Sequence, residues 1–306
     1  MRRILLAPLA LAAIMLGAAA QPAPFSVDGH GYRSLDDALA AIGDRTATIV
    51  IAPGTYRECA VQSRGTVTYR AAQPGTAVFE HNVCEDKAAL VLRGRGSVID
   101  GLVFRGYEVN DGNGEGIRTE AGDLTVVNSM FLDSEQGIGG GTNDVSRRIV
   151  IDHSTFAGLG QCRTDNCSHS LYLITAGSVS VTNSRFERGT GGHYAKIRAA
   201  HVQVDGNSFD DSAGHQTSYL IDLSNGGTGT VRGNTLVQGK DKDNPGTLIA
   251  VSAENRMYPT EGLAIDGNTA SLAPGAAKAA FVGDWSHQRL AIGTNRLSGL
   301  TPFVSH

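Results

Sequence analysis

Four short segments gather side chains that can bind anions and move protons: Glu115-Gly-Ile-Arg118, His169-Ser-Leu-Tyr172-Leu, His193-Tyr-Ala-Lys196-Ile-Arg198 and Tyr219-Leu-Ile-Asp222-Leu. Elsewhere the corresponding positions hold mostly Thr, Ser, Asn and Gly. A cation, a base and an acid side by side suit β-elimination on a uronic-acid polymer. The cation neutralises the carboxylate and acidifies the adjacent C–H, the base removes that proton, and the acid protonates the departing glycosidic oxygen. Arg198 and Arg118 fit the first role, because guanidinium pairs bidentately with carboxylate. Lys196 or His193 would be the base, and cationic neighbours Arg198 and His193 would ease loss of the lysine proton. Tyr172, Tyr219 or His169 would supply the proton to the leaving group. Glu115, Asp222 and Asn225 complete the set as substrate contacts. The plainer alternative is a solvated charged face whose histidines only brace turns.

For these segments to share one site they must become vertical neighbours, and the chain has the repeat that does this. Eight copies of one motif recur at about 28 residues per period, from Ile99-Asp-Gly-Leu-Val-Phe104 through Val126-Val-Asn-Ser-Met-Phe131 and Val204-Asp-Gly-Asn-Ser-Phe209 to Ile292-Gly-Thr-Asn-Arg-Leu297. Each period consists of short apolar–polar alternations rich in Val, Ile, Thr and Phe with Gly and Asn between them, the pattern of strands and tight turns. A single coil of strands cannot bury its inward face, whereas stacked coils bury a continuous apolar column. The expected fold is therefore all-β, a parallel β-helix. Asn128, Asn183, Asn207, Asn234, Asn268 and Asn295 form a turn ladder in this reading, since Asn tolerates left-handed backbone and its amide reaches the next turn. Alternation along the strands places Arg118, Tyr172, Lys196 and Asp222 in one outward row, and Glu115, His169, His193 and Tyr219 in the row beside it.

The ends and the compartment follow from local signals. Met1–Ala20 has two arginines, an apolar run and small residues before the expected cut, the pattern of a secretory signal peptide; the run is too short to span a bilayer. Residues 21–48 form an N-terminal segment in which Ser34 to Ile42 is a capping helix with Gly43 as its stop, and 49–306 form the helix of strands. Cys59, Cys84, Cys162 and Cys167 suit an oxidising space, paired as Cys59 with Cys84 and Cys162 with Cys167. A formal charge of −4 argues against nucleic acid as partner. The 39 glycines and 6% aromatic content exclude a coiled coil or helical bundle. The expected product is an exported monomer, periplasmic or secreted, with no membrane span once the signal is removed.

The opening Tyr32-Arg-Ser-Leu-Asp-Asp-Ala-Leu-Ala followed by Ile49-Val-Ile-Ala-Pro-Gly-Thr-Tyr-Arg-Glu58 resembles the start of the pectate lyase-like superfamily. That resemblance implies a right-handed, three-sheet coil and work on polysaccharides. The strand Ala195-Lys196-Ile197-Arg198 before Val204-Asp-Gly-Asn207 is similar to the lysine-bearing strand of alginate-type lyases, which implies a lysine base assisted by an arginine on the next coil. Here that coil offers Asp222 and Asn225 instead. Calcium is the one cofactor the resemblance would bring, with Asp222 and Glu254 as the acids near it. The Asn-Thr-Asp, Asp-Asp and Gly-His-Gly motifs of polygalacturonases and the later signatures of pectin methylesterases are absent. A lyase on an acidic polysaccharide is the leading expectation; a non-catalytic polysaccharide-binding surface protein and a C5-epimerase are the alternatives.

Overall fold

A computed structural model describes residues 23–164 and 166–306. The expected signal peptide lies outside the described residues. The chain winds into a parallel β-helix of about nine turns. One face is a ten-stranded parallel sheet running from Gly54–Tyr56 through Met130–Ser134 and Ser208–Asp210 to Arg296–Ser298. The other two faces join into a single twenty-stranded sheet. They are joined by two long strands, Leu171–Thr182 and Ala195–Asp205, which pass from one face to the next with a register shift between Thr175 and Ser178.

The Val, Ile, Leu and Phe of the repeat point inward and form one continuous core. Its spine is the last residue of the motif, where Phe79, Phe104, Phe131, Phe156, Phe186 and Phe209 stack ring on ring at 4.6–5.7 Å. Losing one such ring would cost about 3–5 kcal/mol.

Beside it runs a polar ladder, and here the expectation from the sequence needs correction. The six asparagines belong to two rows, one position apart in the motif. Asn128 and Asn183, with His153 between them, are left-handed residues at φ 47–52°; glycine takes over that position at Gly206, Gly233 and Gly267. Asn207, Asn234 and Asn268 continue a second, buried row begun by Ser129, Ser154 and Ser184. In this row each side-chain oxygen accepts the backbone N–H of the preceding coil, as from Asn207 to Asn234 at 2.9 Å and from Asn234 to Asn268 at 2.9 Å. The two rows differ because one needs positive φ and the other needs an acceptor pointing along the axis.

The N-terminal end is closed by the helix Leu35–Ile42, whose cap Ser34 Oγ accepts the Asp37 N–H at 3.1 Å. Leu35, Ala38 and Ile42 seal the core. An antiparallel pair, Phe25–Val27 with His30–Tyr32, covers the first coil strand. Cys59 pairs with Cys84 and Cys162 with Cys167. Among the described residues no helix is long and apolar enough to cross a membrane.

Candidate functional site

The parallel register settles which side chains are neighbours. Along one face the outward row reads Val91, Arg118, Gly139, Tyr172, Lys196, Asp222, Ala250 and Gly283, each a coil above the last. Tyr172, Lys196 and Asp222 are thus consecutive, as expected. Arg118 is not adjacent to them, because the strand Gln136–Thr142 intervenes and contributes Gly139. The signal for that coil was present: Gln136-Gly-Ile-Gly139 has the same spacing as Glu115-Gly-Ile-Arg118.

The histidine row is assembled differently from the alternation argument. The strands begin at Leu171, Ala195 and Ile221, so His169, His193 and Tyr219 sit in the turn just before them, where strand alternation does not govern direction. Their rings form one file, His169 tilted by 33° on His193 at 4.8 Å and His193 stacked on Tyr219 at 5.1 Å, with Tyr172 edge-on to His169 at 5.4 Å. His169 Nδ1 accepts the His193 backbone N–H at 3.0 Å, and His193 Nδ1 accepts that of Tyr219 at 3.1 Å. A neutral imidazole whose Nδ1 accepts carries its proton on Nε2. Burial, reinforced by nearby cations, pushes His169 down to about 3 and His193 well below its ordinary value. Both rings are therefore neutral N–H donors at Nε2, which removes His193 as a base in this geometry.

The charged centre lies beside them. Lys196 Nζ is 2.5 Å from Glu254 Oε1 and 3.9 Å from Asp222 Oδ2, and His193 Nε2 is 3.5 Å from Asp222 Oδ2. Arg198 pairs with the other oxygen of Glu254. Both cations lie against the Tyr172 ring, at 5.4 and 5.1 Å from its centroid. The cationic neighbourhood expected for Lys196 is thus balanced by two carboxylates. Burial raises Asp222 to about 6, against the pull of Lys196 and a 2.7 Å hydrogen bond from Ser224 Oγ; its Oδ1 has no partner among the described residues. Partial burial pushes Glu254 up, but hydrogen bonding from Lys196 and the charges of Lys196 and Arg198 hold it below its usual value. Burial raises the Tyr172 phenol, so it keeps its proton at neutral pH.

Glu254 arrives on a loop after the strand Thr247–Val251. Ser224 O accepts the N–H groups of Glu254 and Asn255, and Asn225 O accepts that of Tyr258. Tyr258 Oη donates to Asn143 Oδ1 at 3.2 Å. Asn225 therefore holds this loop; its side chain is buried against Met257. Farther along the row, Arg118 lies 3.4 Å from Glu115, which is buried on the floor under a 2.6 Å hydrogen bond from Gln136. Gly139 makes room for this pair: a Cβ there would meet Gln136 Nε2 at 1.8 Å and Glu115 Oε2 at 2.3 Å. Burial raises Glu115 to about 8.

These acids do not suit calcium. An ion held by Asp222 and Glu254 would need the place that the Lys196 ammonium occupies between them. Among the described residues no His, Cys, Asp and Glu cluster has a metal-holding arrangement. His81 and His201 are spent elsewhere, against Gly106 O and Thr228 Oγ1.

No family model matches the chain, and no curated protein matches it in sequence. Among solved structures it is similar to the PL6 family alginate lyase AlyGC, at a TM-score of 0.51 and 16% identity over 86% of this chain and 38% of that one. The likeness is one of fold. The chain thus spans well under half of that lyase's length. It is also similar, at a TM-score of 0.40 and 14% identity over 96% of this chain and 71% of the other, to the catalytic unit of a GH87 α-1,3-glucanase from Streptomyces thermodiastaticus strain HF3-3.

Proposed function

We propose that this chain is an exported protein that binds an acidic, uronate-containing polysaccharide along the coils of Tyr172, Lys196 and Asp222 and cleaves it by β-elimination. One observation carries the reading: a carboxylate, that of Glu254, already bridges Lys196 and Arg198, so the pair has the geometry to receive a uronate carboxylate in its place. With the sugar carboxylate on Arg198 in place of Glu254, Lys196 first gives its ammonium proton to solvent and then, as the amine, takes the proton from the adjacent carbon. The electron pair forms a C–C double bond as the glycosidic C–O bond breaks, and the Tyr172 phenol gives its proton to the departing oxygen. His169 and His193 offer Nε2–H donors to sugar hydroxyls or to the developing charge.

The test is incubation with alginate and polygalacturonate, alginate first because of the fold likeness to AlyGC. Ultraviolet-absorbing unsaturated uronates should accumulate, and Lys196→Ala should lower their rate by on the order of a hundredfold or more with the fold intact. Retention on the polymer without product would make the chain a binding protein. An altered uronate composition without scission would make it an epimerase.

A further inference from the structure

The middle and the C-terminal end of the groove are unlike. From Tyr172 to Arg118 the row is open, both being partly exposed and Gly139 between them contributing no side chain; it is covered again at Val91, which is 0% exposed. Toward the C-terminus it is roofed. Ala250, one coil beyond Asp222 in the same outward row, is 0% exposed, and every residue of the strands Thr247–Val251 and Ala280–Asp284 is buried. The roof is aromatic. Trp285, the only tryptophan of the chain, folds its indole back over Gly283, where a Cβ would meet Cζ3 at 3.0 Å and Cη2 at 3.1 Å. Tyr219, its hydroxyl accepting from Asn244 Nδ2 at 2.8 Å, brings its ring to 6.5 Å from the indole between centroids.

This barrier is braced. The His306 ring lies flat against the far face of the indole at 3.9 Å and 4°. Trp285 N donates to Val251 O at 2.9 Å, and Arg256, from the loop that carries Glu254, donates to Trp285 O at 2.6 Å. An indole parallel to a ring of the following coil stands across the axis, as the stacked phenylalanines do, and the face turned from His306 offers a plate for the flat face of a sugar ring. From Lys196 to Ala250 is two coil spacings, about 10 Å.

We infer that Trp285 and Tyr219 close the groove at its C-terminal end, so that the site takes the end of a polysaccharide chain and leaves room for at most one or two sugar units beyond Lys196. The inference rests on the polysaccharide reading but not on the bond-breaking step. Trp285 is then the residue that sets end-wise action.

Two measurements test it with the intact chain. On alginate or polygalacturonate, whichever is cleaved, the first products should be mono- or disaccharides while solution viscosity is retained; Trp285→Ala should release longer oligomers early and lower viscosity faster. First products of three or more units from the natural chain, or an unchanged product pattern in the variant, would overturn the inference. For a polymer bound but not cleaved, affinity counted per chain should be the same for fragments of about ten and about a hundred units, whereas binding at internal positions would gain roughly tenfold with length. A length-dependent affinity overturns the closed groove; no binding to any acidic polymer overturns the reading beneath it.

Discussion

Glu254 is the residue on which the chemistry of the site turns, because it neutralises both cations that a uronate would need. With Asp222 beside Lys196, two cations and two carboxylates face one another and the centre is charge-balanced before any substrate arrives. A uronate must therefore exchange with the Glu254 carboxylate and not simply add to an empty cationic pocket. Glu254→Gln keeps the shape and removes the competing charge. Its expected effect is a KM for the acidic polymer lower by about tenfold, the worth of one charged hydrogen bond, with kcat retained. Steady-state kinetics over a range of polymer concentrations would show this. A kcat lowered by orders of magnitude would instead make Glu254 part of the proton transfer, and an unchanged KM would mean that its carboxylate is not in the substrate's way. The histidines carry a different constraint: with each Nδ1 filled by a backbone N–H, they act by donating, so the proposed elimination relies on Lys196 as its base.

The elements that position these residues are rows, and a row is as strong as its axial hydrogen bonds. Asn234 accepts from Asn207 through both its backbone N–H and its Nδ2, and donates to Val204 O and Asn268 Oδ1. Asn234→Ala should destabilise the chain by about 2–4 kcal/mol, since buried partners are left unpaired. Asn234→Ser should recover part of that, because serine fills the same row at Ser154 and Ser184. Exposed Asn128→Ala should cost about 1 kcal/mol for its left-handed backbone alone. Urea unfolding of the three variants orders them, and equal losses at Asn128 and Asn234 would contradict the division into two rows. That division also marks the limit of what the sequence reveals. The motif made the coil, its core phenylalanines and the adjacency of Tyr172, Lys196 and Asp222 readable. It did not separate two asparagine rows that lie one position apart. Nor did it expose Trp285, whose indole reaches two residues back over a glycine, or the pairing of Glu254, which depends on an irregular loop docked by backbone groups of Ser224 and Asn225.

At the scale of the whole molecule, the buried ionisable groups of this one face set how stability follows pH. His169 and His193 are neutral in the folded chain, so unfolding below their ordinary value of 6.5 takes up protons and stability falls on acidification. Glu115 and Asp222 work in the opposite sense. Their raised values, about 8 and about 6, mean that the folded state holds protons that the unfolded chain releases above the ordinary carboxyl range, so their contribution is lost as pH rises. Between pH 4.5 and 6 two groups of each kind oppose one another and stability should change little. Above pH 6.5 the histidines no longer contribute and Asp222 is ionised, leaving Glu115 alone to lower stability by about 1.4 kcal/mol per pH unit toward pH 8. Glu115→Gln, which keeps the floor hydrogen bond to Gln136 but cannot ionise, should flatten that decline while leaving the acid side unchanged. Urea unfolding at about pH 5, 6.5 and 8 for both chains measures the two slopes. A variant that still loses stability at the natural rate above pH 6.5 would place the titrating group elsewhere and make Glu115 an ordinary ionised partner of Arg118.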